Sequence, residues 1–372
     1  MKVLIGADVV PTESNFDLFR EGNRTKLLGK ELDDIWSSAD VRVFNLEVPI
    51  FDKLNPIHKC GSNLIAPKST INGIKALNPT LVTLANNHIL DHGEEGLKST
   101  QEILKDNYIP FTGVGDDIYQ ARKPYIIEHN GITLGIYACA ENEFTIATEK
   151  SMGANPFDPL ESLDDISKLS DKCDYLIVLY HGGKEYYRYP SPYLQKVCRK
   201  IIEKGADLVI CQHSHCIGSL EKYMESTIVY GQGNFIFDGD DNEFWNTSII
   251  IQIELNENII VDFIPICKDG NRIRLASENE KKAILDGFNK RSEDIIKPEF
   301  IHDEYKKFAE QHYPNYLTTF AGWNKLMKII NNKTGSKLIY NKYNRKKLLP
   351  IINYIECEAH RELILKALEV NK

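Results

Sequence analysis

The feature that most constrains this sequence is a short apolar run that ends in two histidines one residue apart. Residues 208–211 are apolar and partly β-branched, which is typical of a buried strand, and Gln212 then leads into His213 and His215. Because alternate residues of an extended chain point to the same face, we expect both imidazoles to leave the strand side by side. Such a pair can bind a metal ion, although loop histidines held by hydrogen bonds give the same pattern.

Other apolar runs alternate with amphipathic segments along the first 266 residues. Further strands are predicted over residues 2–5, 41–47, 81–85, 175–180, 227–230 and 249–255. Helices are predicted over residues 27–37, 70–77, 96–106 and 194–204. This alternation indicates an α/β domain, in which ligands bind at the ends of strands.

Four of these runs end in polar side chains that suit a metal site. The side chains are Asp8, Asn45, Glu47, Asn86, Asn87, His88, His181 and Glu185. With the histidine pair, we expect all of them on one edge of a sheet. Each is ambiguous alone, since Asp8 could cap a helix, Glu47 could lie on the surface and His181 could be a loop residue. Together they offer the mixed oxygen and nitrogen ligands that suit Zn²⁺, Mn²⁺ or Fe²⁺, and two such ions would supply hydroxide near neutral pH for a phosphoryl displacement.

The same residues fall in motifs that resemble those of the poly-γ-glutamate capsule synthesis (CapA-type) family, a branch of the calcineurin-like metallophosphoesterases. In chain order the motifs are Gly6-x-Asp8, Asn45-Leu46-Glu47, Ala85-Asn86-Asn87-His88-x-x-Asp91-x-Gly93, His181-Gly182-Gly183-x-Glu185-Tyr186, His213-x-His215 and Tyr230-Gly231-x-Gly233-Asn234-Phe235. They cover about residues 1–266 and are specific only when taken jointly. The resemblance implies an α/β fold in which a metallophosphatase-like β-sandwich is flanked by helices.

The resemblance also implies a role for each candidate site residue. One divalent ion would be held by Asp8 and His215, a second by Asn87, His181 and His213, with Glu47 bridging them. His88 would stabilise charge or donate a proton at the leaving group. Asp91 and Glu185 would orient imidazoles, and Asn234 would fix the site loop.

Three positions depart from the family pattern. The wider superfamily has a second ligand where this chain has Val10, and a bridging Asp where it has Glu47. Both differences weaken the expectation for the ion held by Asp8. Gly182 stands where an aromatic residue is more frequent, which is expected to widen the pocket.

Composition excludes several other classes of protein. Hydrophobic residues make up 42% and charged residues 26%, as in an ordinary globular protein, and no apolar stretch reaches the length of about 18 that a membrane span requires. The first residues do not resemble a signal peptide, so we expect a cytoplasmic protein without stable membrane insertion. Eight scattered cysteines are expected to be reduced, and Cys216, next to the histidine pair, is expected to be a bystander rather than a soft ligand.

The charge distribution divides the chain. Residues 271–372 contain 20 Lys and Arg against 13 Asp and Glu, whereas residues 1–270 contain 25 against 40. An acidic body with a basic tail does not favour a nucleic-acid enzyme. We expect a catalytic domain over residues 1–270 and a helical region over residues 271–372.

The tail is predicted to be helical over residues 278–312, 322–333 and 343–370, with breaks at Pro298, Pro314, Gly335 and Pro350. Its helices could join two copies of the chain. The segment 337–347 mixes bases with tyrosines, so it could contact an anionic polymer or a membrane surface, although a solvated helix face is the favoured explanation.

The ligand set favours a metal-dependent hydrolase of the phosphoesterase type with a small or polymeric anionic substrate. The resemblance adds that this substrate belongs to the synthesis of a bacterial capsule or cell-surface polymer. Two alternatives remain open. The same site could hydrolyse or transfer a γ-glutamyl amide, or the protein could be a non-catalytic scaffold in polymer assembly.

Overall fold

The computed structural model describes residues 1–239 and 241–370. The chain divides into two compact units, Met1–Ile301 and His302–Lys372. The first unit contains the sheets and every candidate site residue, and the second is helical. The first unit runs past the boundary expected at residue 270, because a strand and a helix beyond that residue pack on its core.

The strands carry the framework of the first unit. They are β1 (Lys2–Val10), β2 (Val41–Leu46), β3 (Leu81–Thr83), β4 (Phe111–Thr112), β5 (Val114–Gly115), β6 (Tyr125–His129), β7 (Ile132–Ala140), β8 (Gly153–Ala154), β9 (Tyr175–His181), β10 (Leu208–Gln212), β11 (Leu220–Tyr223), β12 (Ser226–Val229), β13 (Asn234–Phe237), β14 (Thr247–Leu255), β15 (Ile259–Asp269) and β16 (Arg272–Leu275).

Helices connect these strands and form the tail. They are α1 (Phe16–Glu21), α2 (Arg24–Leu28), α3 (Lys30–Ser37), α4 (Ile71–Ala76), α5 (Gly93–Asp106), α6 (Ile118–Ala121), α7 (Ser162–Ser170), α8 (Pro192–Glu203), α9 (Glu243–Asn246), α10 (Glu278–Ile295), α11 (Phe300–Phe320), α12 (Lys325–Lys333), α13 (Lys337–Lys342), α14 (Arg345–Glu356) and α15 (Glu358–Val370), with a 3₁₀ turn (Lys68–Thr70) before α4.

Two mixed sheets form the core of the first unit. One has the strand order β16-β15-β14-β1-β2-β3-β4, with β13 also paired to β1, and the other has the order β11-β12-β10-β9-β7-β6. Apolar side chains of both sheets, including Ile5, Val43, Leu179 and Ile210, form one buried cluster. The strands on either side of this cluster include the parallel sets β1-β2-β3 and β7-β9-β10.

Helices cover the outer faces of the two sheets. Trp36 of α3 and Leu104 of α5 belong to the cluster that contains Phe44 of β2, whereas Ile201 of α8 packs in the cluster that contains Val209 of β10. Burial of such side chains contributes about 25 cal/mol per Å² of apolar surface. The predicted α/β fold, two sheets flanked by helices with further helices at the carboxyl end, is therefore confirmed.

Several predicted elements differ in detail, each for a local reason. The helix expected over residues 27–37 is divided at Gly29, whose φ of 71° lies in the left-handed region. Strand β1 continues to Val10, so Asp8 lies within the strand, at a register shift against β2. Pro314 and Pro350 lie inside α11 and α14, so the breaks expected there are wrong. A proline removes one backbone hydrogen bond and can kink a helix without ending it.

Residues beyond 270 complete the first unit. Strand β16 pairs with β15, and Phe288 of α10 packs against Phe263 with 4.8 Å between ring centroids. Nε of Arg291 donates a hydrogen bond to the carbonyl of Gly218 at 2.7 Å. Helix α10 is thus part of the folded body rather than of a separate tail.

The second unit consists of short helices. Asn331 of α12 is buried, and its Oδ1 accepts a hydrogen bond from the backbone N–H of Ile339 in α13 at 3.0 Å. Helices α14 and α15 pack against each other. Within residues 1–239 and 241–370, no helix combines the length and the apolar character needed to cross a membrane.

Candidate metal centre

Polar side chains of both sheets meet where the parallel strands of each sheet end. The first sheet supplies Asp8 in β1, Glu47 beyond β2 and Asn87 beyond β3. The second sheet supplies His181 at the end of β9 and the histidine pair beyond β10. The expectation that all of these residues share one edge of a single sheet is therefore wrong. Because the sheets pack face to face, the carboxyl ends of their parallel strands bring the two sets together.

The histidine pair does not continue its strand. Strand β10 ends at Gln212, and φ is 86° at His213 and 52° at His215, both in the left-handed region. An extended backbone is thus the wrong reason for their proximity, although their ring centroids lie 6.0 Å apart. Left-handed backbone at residues other than glycine costs about 1–3 kcal/mol and clusters at functional sites. Here Oδ2 of Asp8 accepts a hydrogen bond from the backbone N–H of His213 at 3.4 Å and helps to hold the turn.

Glu47 lies at the centre of the site and is fully buried. Its Oε1 lies 3.2 Å from Nε2 of His181 and 4.0 Å from Nδ1 of His213. Each of the residues Glu47, His213 and His215 offers one ligand atom, and these three atoms lie within 4.8 Å of one another. Within the described residues, neither Glu47 oxygen nor Nδ1 of His213 has a hydrogen-bond partner of acceptable geometry. Buried polar atoms normally have partners, so this set fits a divalent cation.

Three asparagines connect the two halves of the site. Nδ2 of Asn45 donates a hydrogen bond to Oδ1 of Asp8 at 2.8 Å and lies 3.3 Å from Nδ1 of His181. Oδ1 of Asn45 accepts a hydrogen bond from Nδ2 of Asn86 at 3.1 Å. Oδ1 of Asn87 lies 2.9 Å from Nε2 of His181. The amides of Asn45 and Asn86 therefore position Asp8 and His181, whereas Asn87 faces the nitrogen that would bind an ion.

His215 lies against aromatic side chains. Its Nδ1 lies 2.8 Å from Oδ1 of Asn234, which fixes the ring and leaves Nε2 as the free ligand atom. The indole of Trp245 stacks on the imidazole, with centroids 5.2 Å apart and planes inclined by 16°, and Phe237 packs edge-on at 5.6 Å. Sequence reasoning did not identify Trp245 or Phe237, because no periodicity connects them to the histidine pair.

His88 forms a buried cluster with Asp91 and Lys59. Nδ1 of His88 lies 2.6 Å from Oδ2 of Asp91, and Lys59 forms an ion pair with the same carboxylate. Nζ of Lys59 also donates a hydrogen bond to the carbonyl of Asn87 at 3.2 Å. Sequence reasoning did not identify Lys59. Its role follows only from the structure, where the buried carboxylate of Asp91 requires a cation.

Glu185 has a more distant relation to the site. It is partly exposed, and the charge nearest to it is Nζ of Lys184 at 3.8 Å. Its carboxylate acts on His213 through space, as one of the charges that raise the pKa of that imidazole. Asn234 and Asp91 each contact a site imidazole directly, whereas Glu185 acts on His213 only through its charge.

Burial and mutual charge set the protonation of the centre. Burial raises the pKa of Asp8 well above its usual range, and the neighbouring charge of Glu47 adds to this. Burial also opposes ionisation of Glu47, but the facing histidines outweigh it and lower the pKa of this carboxyl. Burial lowers the pKa of His181 to about 4. For His213, the attraction of Glu47 overcomes burial and raises the pKa to about 9.

The structure shows the surroundings of two positions that differ from the family pattern, Val10 and Gly182. Val10 is buried among apolar residues and offers no ligand atom. A Cβ at Gly182 would collide with the side chains of Glu141 and Tyr180. The space beside Gly182 is therefore filled, and the wider pocket expected there is not formed. Cys216 is buried, and its sulfur does not belong to the ligand cluster formed within the described residues.

A family profile decides the wider assignment. The profile described as "Bacterial capsule synthesis protein PGA_cap" matches residues 8–239, more than half of the chain. This chain belongs to that family. The match extends from Asp8 past His215 and Asn234, so every candidate residue of the PGA_cap site lies within it. The family indicated by the sequence motifs is thus confirmed.

Two proteins that are similar in sequence to this chain come from species of Bacillus. The "Capsule biosynthesis protein CapA" of Bacillus anthracis is 31% identical over 238 residues, which cover 60% of this chain and 56% of that protein. The "PGA biosynthesis protein CapA" of Bacillus subtilis (strain 168) is 28% identical over 240 residues, which cover 61% and 60%. The chain therefore matches less than two thirds of the length of either relative.

Solved structures of similar topology are more distant from this PGA_cap chain. A putative 5'-nucleotidase from Staphylococcus aureus aligns with 77% of this chain and 58% of its own, at 14% identity and a TM-score of 0.46. The NAD nucleotidase of Haemophilus influenzae aligns with 84% and 67%, at 13% identity and a TM-score of 0.44. Likeness at this level supports no inference about activity.

Proposed function

We propose that this PGA_cap protein is a metal-dependent hydrolase of the phosphoesterase type. It would act on an anionic substrate in the synthesis of a bacterial capsule or cell-surface polymer. The observation that carries the proposal is Glu47, a fully buried carboxylate whose Oε1 lies 3.2 Å from Nε2 of His181 and 4.0 Å from Nδ1 of His213. Within the described residues, neither oxygen of this buried carboxylate has a hydrogen-bond partner of acceptable geometry, which is costly, and a divalent ion held by it and by the histidines would offset that cost.

The residues present suit one or two ions of manganese, zinc or iron. The candidate ligands are Asp8, Glu47, Asn87, His181, His213 and His215. When bound, such ions polarise a phosphoryl oxygen and acidify a water molecule. The ions would also hold the anionic group of a substrate by charge, which fits the otherwise acidic first unit.

His88 would donate the proton that the leaving oxygen requires. Its Nδ1 faces Asp91, so Nε2 is the nitrogen left to hold a transferable proton. Its side chain is 12% exposed, which admits contact with substrate, whereas Asp91 is completely buried. Asp91 and Lys59 would therefore position the ring, and Glu185 would add negative charge near His213.

The test is turnover by the purified full chain with added Mn²⁺, Zn²⁺ or Fe²⁺. We expect metal-dependent hydrolysis of p-nitrophenyl phosphate or bis(p-nitrophenyl) phosphate. Glu47→Gln is the matched variant, because it keeps the shape of the side chain and removes its charge. It should lose both bound metal and activity, and the chelated wild type should behave in the same way.

The name of the Bacillus subtilis relative, a "PGA biosynthesis protein", favours a second substrate class. The same ligand set can activate water against an amide, so a γ-glutamyl amide is the second candidate. Metal-dependent cleavage of γ-glutamyl-p-nitroanilide without cleavage of phosphate esters would select it. Failure with both substrate classes and all three ions would favour a non-catalytic scaffold. The cytoplasmic location and the absence of a nucleic-acid partner stay predictions.

A further inference from the structure

The helical tail carries a long segment of one charge sign. Residues 311–355 contain eight Lys and Arg and neither Asp nor Glu, although the whole chain has a net charge of −8. The segment comprises the second half of α11, all of α12 and α13, and most of α14. We call it the basic segment. Its charge is opposite to that of the chain as a whole, which indicates an anionic partner.

Three of these charges lie where the local structure disfavours them. Arg345, Lys346 and Lys347 form the first turn of α14, and this turn holds no acidic residue. The amino end of a helix carries partial positive charge, so cations there are destabilising. All three side chains are exposed and form no ion pair within the described residues. Helix stability therefore does not account for their presence.

The basic segment also exposes large apolar side chains. On α14, Leu349, Ile352 and Ile355 are spaced three residues apart and are 56%, 43% and 52% exposed. This spacing places them on adjoining positions of one helix face. On α12, Leu326 and Ile330 are exposed as well. Exposed apolar groups next to a cationic cluster mark an interaction surface rather than an ordinary solvated face.

We propose that the basic segment binds the surface of an anionic lipid bilayer. A second copy of the chain would bring eight further bases against the first eight, and like charges at an interface are costly. A soluble anionic polymer satisfies the charge but offers no apolar phase for the leucines and isoleucines. A bilayer with anionic headgroups provides both the negative charge and the acyl boundary in which such side chains lie.

The bound helices lie in the interface and do not cross the membrane. Of the helices that contribute to the basic segment, α11 is long enough for a span but not apolar enough, and α14 is far shorter than the roughly 20 residues that a span requires. Tyrosine and tryptophan favour the headgroup level, and Tyr340, Tyr354 and Trp323 lie in this segment. The proposal is independent of the metal centre, because it concerns other residues and needs no catalysis.

The test uses the purified full chain and sedimentation with vesicles. Vesicles of phosphatidylcholine with 30% phosphatidylglycerol, roughly a bacterial proportion of anionic lipid, are compared with pure phosphatidylcholine. We expect binding to the anionic vesicles, and weaker binding at high salt. The triple variant Arg345→Gln, Lys346→Gln and Lys347→Gln should reduce this binding by about 100-fold, at about 1 kcal/mol for each base.

Two further variants separate the sources of binding. Leu349→Gln with Ile352→Gln should weaken binding by about 10-fold or more while leaving every charge in place. Lys172→Gln, Lys196→Gln and Lys282→Gln remove three charges from exposed lysines of the first unit and should leave binding unchanged. The charge variant should not unfold α14, since it removes cations from the wrong end of the helix dipole.

Three results would overturn the proposal. One is equal binding, or none, to anionic and neutral vesicles. Another is binding to soluble poly-γ-glutamate that competes with vesicles and ignores Leu349→Gln with Ile352→Gln, which would assign the surface to an anionic polymer. The third is concentration-dependent dimerisation that these two substitutions abolish, with no vesicle binding by the wild type.

Discussion

The ammonium group of Lys59 forms an ion pair with the carboxylate of Asp91, and the two side chains are 2% and 0% exposed. Asp91 also accepts a hydrogen bond from the backbone N–H of Leu64 at 2.6 Å and contacts His88. Residues of the long loop between β2 and α4 are thereby joined to the candidate proton donor. The ion pair positions both the loop and the histidine.

Lys59→Met should destabilise the protein because it leaves a buried carboxylate without its cation. We expect the free energy of unfolding to fall by about 3–5 kcal/mol. Adding Asp91→Asn should recover part of the loss, with a coupling energy of about 1–3 kcal/mol in a double-mutant cycle measured by urea denaturation. The exposed pair Lys30 and Asp34 is the control, and its cycle should give less than about 1 kcal/mol. Additive effects at Lys59 and Asp91 would contradict the pairing.

His88→Ala should lower turnover and leave bound metal in place. Removing a positioned proton donor costs about 10²–10⁴ in rate. The reason for metal retention is that Nδ1 of His88 faces Asp91 rather than the cluster around Glu47. Elemental analysis and kinetics of the same preparation provide the measurement. Loss of the metal in His88→Ala would show that this residue is a ligand.

The two metal positions should differ in affinity. Asn87, His181 and His213 are the candidate ligands of one position, whereas the other depends on Asp8 and His215, because buried Val10 offers no ligand atom. Fewer protein ligands leave more positions to water, so the purified chain should retain close to one ion, and the second should need added metal. Metal content after dialysis tests this.

Single substitutions identify which position is filled. His213→Ala should remove the retained ion, and Asp8→Ala should leave most of it while lowering turnover. Two ions that survive dialysis, or complete loss in Asp8→Ala with retention in His213→Ala, would reverse the assignment.

Phe288→Ala should destabilise the first unit even though this residue lies beyond the boundary expected from the sequence. Phe288 is 1% exposed and packs on Phe263, so truncation leaves a cavity that costs about 3–5 kcal/mol. Phe320, which is 52% exposed, is the matched control, and Phe320→Ala should change stability by less than about 1 kcal/mol. Equal effects of the two substitutions would mean that α10 does not belong to the folded body.

Asp33 should make stability depend on pH in the acid range. Burial opposes its ionisation, but hydrogen bonds from Thr25, Arg24 and Ser37 outweigh it and hold the pKa of this carboxyl below its usual value. A folded-state pKa below the unfolded value stabilises the protein above pH about 4, and this contribution is lost as pH falls through the folded-state pKa.

Asp33→Asn should therefore cost about 1–3 kcal/mol at pH 7 and much less at pH 3, as measured by urea denaturation at both values. The neighbouring, exposed Asp34 provides the comparison, since Asp34→Asn should have little effect at either pH. An Asp33→Asn effect that is the same at both values of pH would refute the assignment.

The strands and most of their polar termini could be predicted from the sequence, because apolar runs and the residues that follow them are local features. The way in which the ends of different strands meet in space, by contrast, does not follow from local features. Asp8 and His181 belong to different sheets, and no pattern within either strand reveals that the sheets face each other. The family motifs supplied what periodicity could not.

Backbone conformation and long-range partners explain the remaining errors. The left-handed φ at His213 and His215 is not encoded by a glycine or by a turn signal, so the pair was assigned an extended geometry. Lys59 reaches the site from a loop and Trp245 from the short helix α9, and both are distant in sequence from the residues that they contact. Pairing of this kind becomes visible only when the carboxylate of Asp91 and the ring of His215 are seen to be buried and to need partners.

The division of the ligands between two sheets has a mechanical consequence. Glu47 follows a strand of one sheet, and His213 and His215 follow a strand of the other. An ion bound by Glu47 and by either histidine would be a crosslink across the interior of the first unit, so its binding free energy would resist separation of the sheets. At a concentration 100 times the dissociation constant, this adds about 2.7 kcal/mol to the free energy of unfolding. Loss of the metal would thus lower the free energy of unfolding as well as the proposed activity. The supply of metal in the cell would then govern how long each molecule survives proteolysis.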